Sequence, residues 1–363
     1  MKYFIVVGEA SGDLHGSNLV KAIKKKEPYC EIVCYGGELM QLAGAKLIKH
    51  YKEMAYMGFV EILMNLPKIL KNLNNCKKDI KEFQPDKVIL IDYPGFNFKL
   101  LSFVKSLQIP IIYYISPKLW AWNEKRIIKI KQYVNKMLLI LPFEVDFYKK
   151  HNYQSAYYVG HPLLDAVASF NLVKNQEEAF SKKKILLLPG SRTQEVKFML
   201  PVMLALAKKY PNFHFIIGKA SSLDENFYRE IMQDSTIELS TKGTYPLLSE
   251  VYAAIVTSGT ATLETALFKV PQIVCYKGNI ISYAIARLLV RHIKYISLVN
   301  LILDTTCVTE LIQHNLTIEK LSVEFEKITS EKGRIEMLHT YNDLFKILGS
   351  EGASERAADI ILN

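Results

Sequence analysis

Short apolar runs recur along this chain and alternate with longer segments that have the spacing of amphipathic helices. Eleven of these runs are predicted to be strands, at residues 3–7, 31–35, 87–91, 109–114, 136–140, 156–159, 184–188, 213–217, 253–257, 272–276 and 295–297. Such alternation is typical of parallel sheets whose strands are joined by right-handed helical crossovers. The chain is therefore predicted to be an α/β protein with its sheets buried between helices.

The length of the chain indicates two domains. Its 363 residues exceed the size of one ordinary hydrophobic core. A polar, charged segment at 171–184 interrupts the alternation, and a new apolar strand follows it. We predict one domain at residues 1–165, a second at 166–345, and a last helix within 346–363 whose packing partner the sequence leaves open. Two Rossmann-like halves facing each other across a cleft would result, an arrangement that a periplasmic-binding-like protein would share.

The charge and the cysteines restrict the partners and the compartment. A formal charge of +10 and a pI of about 9.1 favour anionic partners, such as a membrane surface or phosphorylated substrates. Nucleic acid ranks last because no nucleic-acid motif accompanies the charge. The five cysteines are scattered, and Cys30 and Cys34 lack the spacing of a zinc or redox pair. With neither a signal peptide nor an apolar stretch of about 18 residues, a cytoplasmic protein is expected.

The loop at residues 8–13 follows the first predicted strand. Its small residues allow a tight turn at the carboxyl edge of the sheet, which is where open α/β sheets bind ligands. The loop also carries two carboxylates, Glu9 and Asp13, and a loop that only held a phosphate would gain little from negative charge. We therefore expect it to face neutral or hydroxylated groups.

Asp92 follows another apolar strand, in the run Ile91-Asp92-Tyr93-Pro94-Gly95-Phe96-Asn97. A carboxylate at the carboxyl edge of the sheet can act as a general base toward a hydroxyl. Asn97 would then orient either a sugar or the carboxylate itself. The alternative is an aspartate that simply begins a Pro-Gly turn.

Both tryptophans of the chain, Trp120 and Trp122, lie in one loop after the strand at 109–114. Two large aromatic side chains in such a loop suit packing against a sugar or an acyl chain. Core packing of at least one of them is the alternative. His161, at the end of the first domain, is predicted to be a structural histidine, and a hinge or cleft residue is the alternative.

Cationic and hydroxyl-bearing residues follow two strands of the second domain. Arg192 can clamp a diphosphate through two hydrogen bonds, or it can form a surface ion pair. Ser258, Gly259 and Thr260 begin a helix whose N–H groups form an anion site. Glu264, one turn further, can accept both ribose hydroxyls or act as a capping carboxylate. Together these residues predict a nucleotide diphosphate in the second domain.

Residues 57–70 are unusually apolar for a surface segment and are bordered by lysines. This pattern is typical of a segment that docks on anionic lipid, and a core helix between solvated lysines is the alternative. Pro67 is expected to break or kink the helix. The apolar side chains of this predicted membrane patch are Phe59, Val60, Ile62, Leu63, Leu66, Ile69 and Leu70.

Taken together, these motifs resemble the lipid A disaccharide synthase family, glycosyltransferases of bacterial lipid A assembly. The resemblance runs nearly end to end, and its specificity lies in the joint order of the motifs. They are GEASGD at 8–13, MGFVE at 57–61, IDYPGFN at 91–97, SPKLWAW at 116–122, GHPL at 160–163, LPGSR at 188–192, SGTATLE at 258–264, SLVN at 297–300 and TELIQ at 309–313. The fold expected is the GT-B type, which the two α/β halves also indicate.

The resemblance implies an inverting hexosyltransferase. It would join UDP-2,3-diacylglucosamine to 2,3-diacylglucosamine 1-phosphate through a β(1→6) linkage and release UDP, with no metal or other cofactor. Asp92 would be the general base on the acceptor 6-hydroxyl. The UDP side would comprise Arg192, Ser258, Gly259, Thr260, Glu264, Asn300 and Gln313. The acceptor side would comprise Glu9, Ser11, Asp13, Asn97 and Trp122.

The same resemblance implies peripheral association with the cytoplasmic face of the inner membrane, and it leaves a homodimer open. Two other functions fit the residues. One is another UDP-sugar enzyme on the same frame, an epimerase or a peptidoglycan-type glycosyltransferase. The other is a non-catalytic protein that binds lipid or sugar.

Overall fold

The computed structural model describes residues 1–54, 65–168, 170, 183–279, 283, 287, 290 and 293–363. The chain divides into two compact units. Unit 1 comprises Met1–Ala166 and Ser350–Asn363, and unit 2 comprises Val167–Gly349. No helix among the described residues combines the length and the apolar character that crossing a bilayer requires.

The helices of the described residues are numbered here in chain order. They are α1 (Ala10–Lys26), α2 (Glu38–Leu42), α3 (Leu66–Phe83), α4 (Pro94–Ser106), α5 (Ile127–Tyr133), α6 (Glu144–Lys150), α7 (Pro162–Ala168), α8 (Thr193–Lys209), α9 (Glu225–Met232), α10 (Thr244–Ser249), α11 (Thr260–Leu267), α12 (Leu298–Leu303), α13 (Ile318–Thr329), α14 (Glu331–Leu348) and α15 (Ala353–Leu362). Pro67 lies in the first turn of α3, where a proline's missing N–H is tolerated, so the helix begins there.

Unit 1 contains a seven-stranded sheet in which every neighbouring pair is parallel. Its strands are β1 (Lys2–Val6), β2 (Glu31–Gly36), β3 (Lys46–His50), β4 (Lys87–Ile91), β5 (Ile111–Tyr114), β6 (Lys136–Leu139) and β7 (Ala156–Tyr158). In space they lie in the order β3-β2-β1-β4-β5-β6-β7. The side chains of the central strands are buried, as a parallel sheet covered on both faces requires.

Unit 2 contains a six-stranded parallel sheet. Its strands are β8 (Lys184–Leu188), β9 (His214–Gly218), β10 (Glu238–Ser240), β11 (Ala253–Thr257), β12 (Gln272–Tyr276) and β13 (Glu310–Ile312). Their order, β10-β9-β8-β11-β12-β13, repeats that of the first six strands of unit 1, β3-β2-β1-β4-β5-β6. In both sheets the order reverses beside the first strand, between β1 and β4 and between β8 and β11. At such switch points the loops diverge and leave room for a ligand.

The predicted α/β class with parallel sheets is confirmed, and ten of the eleven predicted strands lie on observed ones. The prediction for residues 295–297 was wrong, because Ser297 caps α12 and its hydroxyl accepts the N–H of Asn300 at 3.2 Å. Strands β3, β10 and β13 were missed. All three lie at sheet edges, where polar side chains replace the apolar run of a central strand.

The last helix, α15, packs against α1 within unit 1. The Asp165 carboxylate accepts the backbone N–H groups of Gly352, Ala353 and Ser354 at 2.7–3.1 Å and so caps the start of α15. His161, four residues before Asp165, is buried, and its Nδ1 accepts the N–H of Leu163 at 3.2 Å. Its burial and this hydrogen bond support the prediction that His161 is structural.

Candidate active site

Both switch points carry residues that the sequence singled out. In unit 1, β1 leads into the loop at 8–13 and β4 leads into Asp92. In unit 2, β8 leads into Arg192 and β11 leads into Ser258. Because β1 pairs with β4 and β8 pairs with β11, each pair of loops starts at neighbouring points of one sheet edge.

The backbone of Asp92 is held in a left-handed conformation, with φ of 44°, and Tyr93 follows with φ of 45°. Consecutive residues of this kind are rare outside glycine and persist only where surrounding contacts impose them. Here the Asp92 carbonyl accepts the Tyr113 hydroxyl at 2.6 Å and the Asn97 side-chain amide at 2.8 Å. The Asp92 N–H donates to the carbonyl of Tyr114 at 3.0 Å. The main chain is therefore fixed while the carboxylate stays exposed.

The surroundings of Asp92 raise the pKa of its carboxyl group. Desolvation raises the pKa of the carboxyl above its ordinary value, and the charge of Lys118 and the N–H of Tyr93 lower it in part. The carboxyl group is accessible to solvent, but the many protein atoms around it still desolvate it in part. A raised pKa brings a carboxylate closer to the range in which a general base works efficiently.

Gly8 and Tyr93 join the two loops of unit 1. A Cβ at Gly8 would lie 2.2 Å from the Tyr93 ring, so only glycine permits this contact. The ring stacks on Phe96 at 5.4 Å between centroids, and its hydroxyl donates to the carbonyl of Met54 at 2.6 Å. The glycine of the first loop thus lets the second loop take the shape that presents Asp92.

Asp13, which the sequence suggested would face hydroxylated groups, is held by backbone N–H groups of its own unit. It is buried, and its carboxylate accepts the N–H groups of Gly37, Leu39 and Met40 at 2.8–3.1 Å. Burial raises the pKa of Asp13, and these three N–H groups oppose the rise. The side chain caps α2, because the first N–H groups of a helix have no partner within it. Contact of Asp13 with a substrate remains only a prediction.

The other acceptor-side residues differ in exposure. Glu9 and Ser11 are half-buried where α1 begins. Asn97 is fully buried and holds the backbone of Asp92 rather than its carboxylate. Trp122 is 45% exposed, with the Arg126 guanidinium 5.0 Å from its ring.

The two tryptophans have separate environments. Trp120 is half-buried; it donates to Glu144 at 3.3 Å and contacts Phe143 edge to face. Glu144 is buried, which raises its pKa to about 8. Trp120 therefore belongs to the packed interior of unit 1, and Trp122 alone presents an exposed ring.

In unit 2, Arg192 is exposed at the carboxyl edge of the sheet and lies 3.4 Å from Glu195. Glu195 also accepts the N–H of Ser191 at 3.0 Å. The ion pair predicted as the alternative is present. Because the Arg192 side chain is 52% exposed, water weakens this pair, and the guanidinium can exchange Glu195 for a more highly charged diphosphate.

Ser258, Gly259 and Thr260 lead from β11 into α11. The Ser258 hydroxyl donates to the carbonyl of Ile296 at 3.0 Å, and Gly259 is the N-cap of the helix. A Cβ at Gly259 would meet no atom within 4 Å, so space surrounds this turn. The first N–H groups of α11 point out of the helix there and suit an anion.

Glu264 is half-buried in α11 and accepts the Tyr245 hydroxyl at 3.2 Å. Burial raises its pKa, the hydrogen bond from Tyr245 opposes that rise, and the pKa lies at about 7. The carboxyl group therefore gains or loses its charge near neutral pH. Its ability to accept hydrogen bonds from hydroxyl groups changes over the same pH range.

Asn300 was predicted to line the UDP side, but its side-chain amide is hydrogen-bonded to other residues of the chain. It is fully buried; its oxygen accepts the N–H groups of Cys307 and Val308, and its nitrogen donates to the carbonyl of Val308 and to Glu310. All four distances are 2.8–3.0 Å. The side chain fastens the segment that enters β13, so the structure gives it a structural role and leaves donor contact a prediction.

Glu310 was missed by the sequence analysis. Its carboxylate also accepts the N–H groups of Ile296 and Ser297 at 2.9 Å and so ties together the segments before α12 and in β13. Its position in the motif at 309–313 was the available signal.

Gln313 directly follows β13 and has a left-handed backbone with φ of 52°. Its side-chain Nε2 is buried, and no hydrogen-bond partner for it exists among the described residues. A buried donor of this kind is costly unless a ligand or water satisfies it. The Gln313 amide can therefore still donate a hydrogen bond to a ligand, whereas the Asn300 amide is already hydrogen-bonded within the chain.

Two lysines at the same sheet edge were also missed. Lys219 follows β9, and its ammonium donates to the carbonyls of Ala220 and Leu223. Lys277 follows β12 and is half-buried. A cation in the loop after a strand was the signal that had already selected Arg192.

The predicted membrane patch is described only in part. Phe59, Val60, Ile62 and Leu63 lie outside the described residues. Leu66 and Leu70, in the first turns of α3, are 40% and 45% exposed, and Ile69 is half-buried. The exposed leucines are flanked by the exposed Lys68 and Lys71.

Comparison with known proteins identifies the family. A family model described as lipid-A-disaccharide synthetase matches residues 3–363. The chain belongs to this family. It is 38% identical over 370 residues to the lipid-A-disaccharide synthase of Syntrophus aciditrophicus (strain SB), covering 99% of this chain and 96% of that protein. For the lipid-A-disaccharide synthase of Myxococcus xanthus (strain DK1622), the identity is 34%, with 99% and 97% covered.

Family membership confirms the prediction made from the motifs. The chain is a glycosyltransferase of lipid A biosynthesis, and the epimerase and binding-protein alternatives are not favoured.

Solved structures support the fold class. A UDP-GlcNAc 2-epimerase from Neisseria meningitidis bound to UDP-GlcNAc matches with a TM-score of 0.67 at 16% identity, covering 100% of both chains. MurG from Acinetobacter baumannii matches with a TM-score of 0.58 at 12% identity, covering 99% of both. At such identities the likeness concerns the fold alone. The predicted GT-B class is confirmed.

Proposed function

We propose that this chain joins UDP-2,3-diacylglucosamine to 2,3-diacylglucosamine 1-phosphate, giving the β(1→6)-linked disaccharide 1-phosphate and UDP. Unit 1 supplies the general base and the acceptor contacts, and unit 2 holds the nucleotide. The observation that carries the proposal is Asp92, whose exposed carboxylate follows a backbone fixed by hydrogen bonds at the switch point of its sheet.

The chemistry requires a proton acceptor and a counter-charge. Asp92 takes the proton from the acceptor 6-hydroxyl as that oxygen attacks C1 of the donor sugar. The bond between C1 and the diphosphate oxygen breaks on the opposite face, so the configuration at C1 inverts. Arg192 and the start of α11 meet the negative charge that gathers on UDP.

The remaining groups of unit 2 orient the nucleotide. Glu264 accepts ribose hydroxyls, and the buried Nε2 of Gln313 donates to the nucleotide. Holding both reactants in place contributes to the rate alongside the acid–base step. Glu9, Ser11 and Trp122 are assigned to the acceptor.

Because both substrates carry acyl chains, we place the protein at the anionic cytoplasmic surface of the inner membrane. Leu66 and Leu70 between lysines on α3, and the charge of +10, support this placement.

The test is product analysis. The purified protein is given UDP-diacylglucosamine with and without diacylglucosamine 1-phosphate, and the products are identified by mass spectrometry. We expect one UDP per disaccharide 1-phosphate and no change of the donor when the acceptor is left out. Epimerised donor in the absence of acceptor would reject the proposal.

A further inference from the structure

Tyr245 makes a hydrogen bond that the reaction described so far does not use. It lies in α10, before β11, whereas Glu264 lies in α11, after that strand. The Tyr245 hydroxyl donates to one oxygen of Glu264 at 3.2 Å. A carboxylate has two oxygens, so the second remains able to accept other hydroxyls.

The Tyr245 ring is held by two phenylalanines. Its centroid lies 5.2 Å from that of Phe268 and 6.1 Å from that of Phe170, the latter in an edge-to-face arrangement. Phe170 and Phe268 contact each other at 5.9 Å, so the three rings form one cluster. Aromatic pairs of this geometry are favourable beyond the area that they bury. The hydroxyl is therefore presented from a fixed point.

This hydroxyl also affects the charge of Glu264. Burial raises the pKa of the carboxyl and the hydrogen bond from Tyr245 lowers it in part, so that the pKa lies at about 7. Among the described residues, Tyr245 is the titratable side chain that acts on this carboxyl. A hydrogen bond to the ionised form keeps a buried carboxylate charged at a pH where it would otherwise take up a proton.

We propose that Tyr245 is a positioning residue for the nucleotide: its hydroxyl holds one oxygen of Glu264 so that the other accepts the ribose hydroxyls. The inference rests on the proposed nucleotide site in unit 2. It extends that site to a residue that does not itself touch the ligand.

The test measures binding of UDP-N-acetylglucosamine by calorimetry across a pH series. The probe's diphosphate diester does not titrate near neutrality, so the protein supplies any pH dependence there. The variants are Tyr245→Phe, which keeps the ring, and Glu264→Gln. The matched control is Tyr210→Phe, which removes another tyrosine–glutamate hydrogen bond of unit 2, from Tyr210 to Glu326 at 2.7 Å.

For the unaltered chain, binding should strengthen as the pH rises through about 7, because the Glu264 carboxylate then ionises. Tyr245→Phe should raise the pH at which this happens and weaken binding at neutral pH about three- to tenfold. Much of the loss should be recovered about one pH unit higher, where more of the carboxylate is charged again and the uracil ring of the probe is still neutral. Glu264→Gln should bind weakly at every pH, and Tyr210→Phe should match the unaltered chain.

The outcomes separate the two proposals. If Glu264→Gln keeps the original affinity and pH profile, the nucleotide role of Glu264 fails, and the inference fails with it. If Glu264→Gln flattens the profile but Tyr245→Phe leaves it unchanged, or weakens binding equally at every pH, the nucleotide site stands and the positioning role is overturned.

Discussion

Units 1 and 2 share the order of their central strands and carry opposite chemistry at the same topological position. In unit 1 the exposed group at the switch point is the Asp92 carboxylate, which can remove a proton. In unit 2 it is the Arg192 guanidinium with the start of α11, which can hold an anion. The strand order supplies a place for a ligand, and the side chains after the strands decide what is done there.

The units also agree in how they use polar residues beside these positions. Each has a buried polar side chain that the chain itself saturates, Asp13 in unit 1 and Asn300 in unit 2. Each also has a group left able to act, Asp92 in unit 1 and the Gln313 amide in unit 2. Hydrogen-bond saturation thus separates residues that hold the loops from residues that can bind a substrate.

The largest effect is expected for Asp92→Asn. Asparagine tolerates the left-handed backbone of this position but cannot take up a proton, so turnover should fall about 10³- to 10⁴-fold. UDP binding, assigned to unit 2, should be unchanged by calorimetry. Asp304→Asn is the matched control, since Asp304 is an exposed aspartate of unit 2 with φ of 48°. If Asp92→Asn kept full turnover, Asp92 would not be the general base, and the proposed difference in chemistry between the two units would be wrong.

Asn300→Ala should act on stability. It removes four hydrogen bonds and leaves buried groups of residues 307–308 without partners, so the free energy of unfolding should fall by about 3 kcal/mol. Urea denaturation followed by circular dichroism measures this. Asn226→Ala, at an exposed position of unit 2, should change it by less than about 0.5 kcal/mol. Unchanged stability with a raised donor KM would instead assign Asn300 to the nucleotide.

Arg192→Ala should raise the KM for the donor about 30-fold, corresponding to about 2 kcal/mol for a charged hydrogen-bonding group. Steady-state kinetics at varied donor concentration measures the change. The control is Arg229→Ala: both arginine side chains are 52% exposed and paired with a glutamate of unit 2, but Arg229 lies on α9. Equal effects of the two substitutions would mean that Arg192 is only a surface ion pair.

The smallest effect is expected for the double variant Leu66→Ser with Leu70→Ser. Removing two exposed apolar side chains of α3 should reduce binding to vesicles of phosphatidylglycerol and phosphatidylcholine about tenfold. Sedimentation with the vesicles measures this. The control is Val323→Ser with Ile335→Ser, at 64% and 60% exposed positions of unit 2. If the two double variants lose binding equally, unit 1 has no special affinity for the membrane.

The central strands and the loops after them could be predicted because their signals are local. A buried parallel strand must be apolar on both faces, and β1, β4, β8 and β11 show this in their own residues. Edge strands such as β3 and β13 have one side without a neighbouring strand and only short or mixed patterns. The prediction of a strand at 295–297 failed for a related reason, since an apolar run also precedes a helix cap.

The amino-acid sequence by itself determined the α/β class, the family and the positions at which charged residues follow the strands. Only the tertiary structure decided which of those residues are already hydrogen-bonded to other parts of the chain. The motifs present Asp13 and Asp92 alike, yet one caps α2 while the other is exposed. Hydrogen-bond partners such as Gly37 for Asp13 and Glu310 for Asn300 are distant along the chain, and their approach depends on packing that no local pattern records.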